Sequence, residues 1–362
     1  VQLIVAAAVT LGATLCAFAA PAAISDSIKQ SATIGQAEQQ AIDAGVTEAV
    51  NVLGDASDPT AQSAARVWLI QGASDQRGNL GSPDYLQHYA QAVNAQLLAA
   101  VSKPDANFRA KVQAGLAAQE IAHRSGNTAT EPLTIKLLQD PLPSVALVGM
   151  KAASGLMPVV LTKPKLAADD KKLLDQILAT IAKYPDAPLG GPIVTEAYDA
   201  LQNAVFQAPN INPDALVPLV LKLQQARIAI YKTGVPASPQ ADSDGVVILF
   251  SRQIWQILAL GDQKQAIQNT IDLVNLASNY AQQAKARGDQ SSASELIGEL
   301  HTIGTDLRSI FSDPAKGVVP DANLYASMQK LAALGQGSGG TVIEDAGAQA
   351  VAGLKVFADS LH

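Results

Sequence analysis

Apolar residues recur along this chain at intervals of three and four. Leu86, Tyr89, Val93, Leu97 and Val101 form one such stripe, and Leu173, Ile177, Ile181 and Tyr184 form another. Leu296, Leu300, Ile303, Leu307 and Ile310 follow a near-heptad spacing, and Ile343, Gly347, Ala350, Leu354, Phe357 and Leu361 repeat the pattern at the end. This is the period of a helix with one apolar face, and each such face needs a neighbouring helix to cover it. The one β-like run, Val246-Val247-Ile248-Leu249-Phe250, passes into Ile254, Trp255, Ile257 and Leu258 without a turn signal. A lone strand would leave both edges unpaired, so a buried helix is the better expectation there.

Proline placement marks where the helices begin. Asp58-Pro59, Ser82-Pro83, Asp140-Pro141, Asn212-Pro213, Ser238-Pro239 and Asp313-Pro314 each set a proline behind a residue with a capping oxygen. The side chain accepts from an orphan N–H of the first turn, and proline suits the first helical position because its missing N–H has no partner there. At Asp140-Pro141 a second proline, Pro143, blurs the boundary.

The starts also recur. An apolar helix end, a Pro/Asp turn and a new helix appear at Val52-Leu53 with Asp58-Pro59, Leu97-Leu98 with Pro104-Asp105, Leu137-Leu138 with Asp140-Pro141, and Ile177-Leu178 with Pro185-Asp186. The spacing of about 40 residues is that of helix-pair repeats. Within the units, Asn107-Phe108-Arg109-Ala110-Lys111-Val112 leads into Ala114, Gly115 and Leu116, and Ser144-Val145 leads into Met150, Ala152, Ala153 and Leu156. Over about residues 40–205 this resembles a HEAT-type α-solenoid, with Arg109 at the family's arginine position and no counterpart in the Ser144-Val145-Ala146 turn. The resemblance implies a right-handed-type stack of helix pairs. Small residues would let neighbouring backbones approach, which suits the alanine-rich composition.

From Gly234 the character changes. Gly234-Val235-Pro236-Ala237-Ser238-Pro239 is rich in turn formers, and longer helices follow. Gly261-Asp262 and Gly288-Asp289 precede Ala-bearing helices in a manner faintly similar to tetratricopeptide turns. The expected organisation is an N-terminal export segment over 1–22, HEAT-like repeats over 23–233, a linker over 234–241, a helical bundle over 242–334, a Gly-rich linker over 335–341 and a final helix over 342–362.

Composition narrows the function classes. Of 362 residues 48% are hydrophobic and 4% aromatic, and the net charge is −7. Such a chain can bury a large core, and it lacks the basic footprint that nucleic-acid binding requires. The densest cationic group, Lys163, Lys165, Lys171 and Lys172, is broken by Asp169 and Asp170 and reads as a solvated helix start. Residues 3–20 form an uncharged apolar run with small-residue sites at Ala17-Phe18-Ala19 and Ala20-Pro21-Ala22. The run reads as a signal peptide, cleaved near Ala19 or Ala22, with an uncleaved anchor as the alternative. Periplasmic or secreted location is therefore expected, with no second apolar run of spanning length. The single cysteine, Cys16, lies inside this run, and the large Leu15 before it argues against lipid attachment.

No constellation for chemistry stands out. His88, His123, His301 and His362 do not share a metal-ligand spacing. Gly335, Gly337 and Gly340 spell G-x-G-x-x-G, but a helical run rather than a strand precedes them, so a linker is expected. Asp242-Ser243-Asp244-Gly245 reads as a helix cap rather than a calcium loop. Asp169, Asp170, Glu344 and Asp345 sit at helix starts, where the dipole favours them. No catalytic, cofactor-binding or metal-binding residue is assigned. The expectation is a non-catalytic scaffold that binds a protein or peptide on its concave face, without nucleic acid and without membrane once the signal is cleaved. A lyase-type HEAT-like enzyme and a self-associating envelope component are the alternatives, and oligomeric state is left open.

Overall fold

The computed structural model describes residues 21–55, 58–185, 189–207, 210–312, 321–335 and 342–361. Nearly all of the expected export segment, Cys16, the expected Asp313-Pro314 start, residues 336–341 of the expected Gly-rich linker and His362 lie outside them. Among the described residues the chain is all α-helical. A single bridge between Ser74 and Leu80 is the one β-type pairing.

The helices are α1 (Asp26–Lys29), α2 (Gln36–Gly54), α3 (Pro59–Gln71), α4 (Pro83–Val101), α5 (Phe108–Ser125), α6 (Glu131–Leu138), α7 (Pro143–Val160) and α8 (Ala168–Lys183). They continue as α9 (Gly190–Gln207), α10 (Pro213–Tyr231), α11 (Asp242–Phe250), α12 (Arg252–Trp255), α13 (Leu260–Ala286), α14 (Gln290–Ser312), α15 (Ala322–Ala332) and α16 (Ile343–Ser360). The run 246–250 is thus helical, within α11.

The expected caps form where the local chemistry allows. Asp58 Oδ1 accepts from the N–H groups of Thr60 and Ala61, Ser82 Oγ from Tyr85, and Asn212 Oδ1 from Asp214. Asp140 departs from the pattern. Its Oδ1 accepts from Leu142 N–H, and the helix begins two residues later with Pro143 in the first turn. Ser238 also departs. Its φ is +47°, and Pro239–Ala241 is a short 3-10 helix rather than the start of an α-helix.

Packing arranges the helices in two layers. Each of α2/α3, α4/α5, α6/α7, α8/α9 and α10/α11 is a hairpin whose members touch. The first members stack as α2–α4–α6–α8–α10 and continue onto α13. The second members stack as α3–α5–α7–α9–α11 and continue onto α14. The last four helices close a ring, α13 on α14, α14 on α15, α15 on α16 and α16 back on α13.

The core follows this order. One apolar cluster runs from Ile24 to Ala152 and the other from Ala122 to Phe357. They interlock at α6 and α7, which present opposite faces to each. Leu133 and Leu137 face the first and Ile135 and Leu138 the second. Hence α7 is apolar nearly all round. Among the described residues it is the one helix long and apolar enough to cross a membrane, which corrects the expectation of no second such run. Here it is a central helix of the stack.

Glycines set the closest approaches. A Cβ at Gly149 would lie 2.7 Å from the Leu138 nitrogen, and one at Gly304 would lie 2.6 Å from the Ala332 nitrogen. Only a residue without a Cβ lets those helix backbones meet at that distance.

Residues 234–241, expected as a linker, form a packed corner. Pro239 and Ala241 are buried, and Arg227 Nη2 donates to the carbonyls of Ala237 at 2.8 Å and Ser238 at 3.3 Å. The second apolar cluster runs across this corner without a break.

Candidate functional site

The turns inside the hairpins line one edge of the stack, and polar bonds tie each turn to the next. Asn107 Nδ2 donates to Gly54 O at 3.1 Å. Lys111 Nζ reaches Asp140 Oδ2 at 2.7 Å. The Tyr184 hydroxyl donates to the carbonyls of Asp140 and Pro141, both at 3.0 Å, and Ala237 N–H donates to Pro185 O at 3.3 Å. Buried carbonyls at helix ends need such partners. Lys111 makes the inter-turn bridge, while Arg109, the arginine on which the resemblance to HEAT repeats is expected to rest, is exposed.

Two clefts open on this edge and share Lys103. One, of about 320 Å³, lies among Asn51, Asp55, Gln96 and Asn107. The other, of about 260 Å³, is lined by Lys111, Lys136, Gln139 and Asp140. Phe108 and Leu142 stand exposed at the helix starts beside them. Charges of both signs line the clefts: Lys103, Lys111 and Lys136 stand with Asp55, Asp105 and Asp140, Lys111 is paired with Asp140, and Lys103 and Lys136 are exposed.

Polar groups also converge where α9, α10, α11 and α14 meet, but they are sealed in. Arg227 and Asp242 are both fully buried, with Nε–Oδ1 at 2.7 Å and Nη2–Oδ2 at 3.0 Å. Burial raises the Asp242 carboxyl and the guanidinium opposes it. Burial and the nearby Asp242 charge push Glu299 well above the ordinary range. The Tyr231 hydroxyl donates to Glu299 Oε2 at 2.6 Å. Among the described residues Arg227 Nη1, Tyr198 Oη and Glu299 Oε1 have no hydrogen-bond partner. Gly245 leaves room for the Tyr198 ring, which a Cβ would meet at 2.8 Å. The arrangement carries a balanced charge and fixes four helices. None of these residues lines the clefts described here.

On the opposite edge, the turns between hairpins hold a carboxyl pair. Asp170 is fully buried at the start of α8 and accepts from Lys163 Nζ and from Ala167 N–H. Glu131, at the start of α6, is 5% exposed. Burial first, then the hydrogen bond and charge of Asp170, pushes its carboxyl up to about 8. Asp170 is held below its ordinary value by the bonds from Glu131 and Lys163, which outweigh its burial. The two therefore share one proton at neutral pH. Lys163 also reaches Thr128 Oγ1 at 3.2 Å, and Asn212 Nδ2 donates to Lys163 O at 2.7 Å. Three hairpin junctions are joined at this point.

The residues weighed from sequence are scattered. His88 Nε2 meets Asp43 Oδ1 at 2.9 Å, His301 Nδ1 is buried with no hydrogen-bond partner among the described residues, and His123 lies in the last turn of α5. Among the described residues no group of three potential ligands could hold a metal ion. Asp169 is exposed, in keeping with a helix-start role, whereas Asp170 and Lys163 enter the carboxyl cluster. Asp242, expected as a helix cap, is instead the first residue of α11: Ala241 stands at the N-cap without a side-chain bond, and the Asp242 side chain turns inward to Arg227.

A further cleft lies at the first hairpin. About 420 Å³ is enclosed by Ile24, Lys29, Trp68, Gln71, Ser74 and Asp75. Trp68 Nε1 donates to Pro21 O at 3.1 Å, which fixes the indole as one wall.

No family model matches the chain, and no curated protein matches it. Among solved structures, a crystal structure of an engineered protein is similar at 15% identity, over 90% of this chain and 82% of that one, with a TM-score of 0.24. Likeness at that level carries no inference about this chain.

Proposed function

We propose that this chain is an exported, HEAT-like repeat scaffold that binds a protein or peptide partner along the turn edge of the stack. What supports the reading is the pair of adjoining clefts that share Lys103, flanked by exposed Phe108 and Leu142. Helix stacks present long surfaces of this kind, and their occupants are read by apolar anchors and complementary charge. The exposed Lys103 and Lys136 suit an acidic group on a segment whose apolar side chains rest on Phe108 and Leu142. Glu131, Asp242 and Glu299, three carboxyls that burial raises, lie away from these clefts, so their setting suits structural rather than acid–base roles.

The test places a photo-crosslinking residue at position 103 or 136, with position 283 in α13 as an exposed control, in cells that export the protein. A discrete adduct at 103 and 136, absent at 283 and lost in competition with an excess of an acidic peptide, supports the reading. No adduct at either turn-edge position, from folded and exported protein, overturns it.

A further inference from the structure

The cleft at the first hairpin contains a lysine in an unusual setting. Lys29 ends the one-turn helix α1 and is only 7% exposed, yet it lines an open cleft of about 420 Å³. That volume lies within the range of small-molecule sites, roughly 300–1,000 Å³. An ammonium carries three N–H donors. Among the described residues one acceptor lies within hydrogen-bond distance of it, the Ser74 carbonyl at 2.6 Å.

The nearby carboxylates do not pair with Lys29. Asp75 is taken up by its own loop: Oδ1 accepts from the N–H groups of Arg77 and Asn79, and Oδ2 accepts from Asn79 Nδ2 and Gln30 Nε2. Asp26 Oδ2 accepts from Gln76 N–H. Neither comes within ion-pair distance of Nζ. Behind Ser74 stands a second cation, since Arg124 Nη1 donates to Ser74 Oγ at 3.2 Å. Burial accordingly outweighs the attraction of both aspartates and draws the Lys29 ammonium below its usual range. A buried cation with unused donors is stabilised by an anion delivered from outside.

The other walls define the rest of the ligand. Trp68, Ile24 and Ala23 supply apolar surface, and Gln71 and Gln76 supply polar groups at the rim. We propose that this cleft is a binding site for a carboxylate attached to a compact apolar body, with the carboxylate on Lys29 Nζ and the body against Trp68. A free aromatic or aliphatic acid and the C-terminal residue of a peptide share this chemistry. The site lies apart from the turn-edge clefts, and it stands or falls independently of the partner proposed there.

The experiment is calorimetric titration of the full chain with phenylacetate and with phenylacetamide. A parallel pair is a pentapeptide ending in phenylalanine, either as the free acid or as the amide. Preference for an acid over its own amide by about tenfold or more supports the site, and the pair that shows it identifies the source. Lys29→Met, which keeps the apolar stem, should abolish the preference, and Lys29→Arg should retain part of it. Equal binding of acid and amide in both pairs, or no binding of any of the four at millimolar concentration, overturns the proposal. That comparison uses the unaltered chain, so it holds even if Lys29→Met fails to fold.

Discussion

Replacing Glu131 by glutamine should stabilise the protein at alkaline pH and not at acidic pH. Glutamine keeps the shape and a donor toward Asp170 but has no charge to bury. In the folded chain burial and Asp170 push the Glu131 carboxyl up to about 8, from 4.5 in the unfolded chain. A raised folded value means the unfolded chain loses its proton first. The associated stability is complete below pH 4.5 and drains away as pH rises through 8. At 1.36 kcal/mol per pH unit the full loss is on the order of 5 kcal/mol. Screening at the solvent-facing side of the cluster reduces this to about 2–4 kcal/mol. Asp170 acts with the opposite sign in a lower window, because its value is depressed and its contribution fades only below the ordinary carboxylate range. Urea denaturation of both proteins at pH 5 and pH 8.5 isolates the term. The stability of Glu131→Gln relative to the parent should rise by about 2–4 kcal/mol between the two pH values. Parallel stability curves over that interval would refute the shared proton.

Gly149→Val places side-chain carbon against the α6 backbone, where the first added atom already meets Leu138 N at 2.7 Å. Overpacking of this kind should cost about 1–3 kcal/mol or more and lower the melting temperature measured by circular dichroism. Arg227→Met strands Asp242 in the interior and should cost roughly 3–5 kcal/mol in a denaturant titration, while Arg227→Met with Asp242→Leu should recover most of that loss. Asp58→Ala removes the acceptor of two first-turn N–H groups and should cost about 1 kcal/mol by the same assay.

Much of the architecture is legible in the sequence because it is set locally. Asp58, Ser82 and Asn212 cap the helices that their prolines announce, and the stripes through Leu86, Leu173, Leu296 and Ile343 are buried. Pairwise stacking follows, since a hairpin alone leaves one apolar face open. What escapes local inspection depends on distant partners. Asp242 has the profile of an exposed cap until Arg227, fifteen positions earlier, folds back onto it. Tyr231 and Glu299 are 68 positions apart. Glu131 meets Asp170 only because α6 and α8 are layer neighbours. The corner at 234–241 has the composition of a linker, and it is held by distant partners, the Arg227 guanidinium on the Ala237 and Ser238 carbonyls and Pro185 O on Ala237 N–H. Lys29 carries no sequence signal at all, because its setting comes from the loop over 74–80.

The order of stacking can be read from native ion pairs by zero-length carbodiimide crosslinking and mass spectrometry. Lys111 with Asp140, Lys151 with Glu196 and Lys330 with Asp345 are salt bridges between successive elements, the second at 3.4 Å from α7 to α9 and the third from α15 to α16. The two-layer stack predicts amide links at these three pairs in the folded protein and their loss in urea. Recovery of links that instead join α5, α7 or α15 to helices they do not touch in this packing, with these three absent, would contradict it.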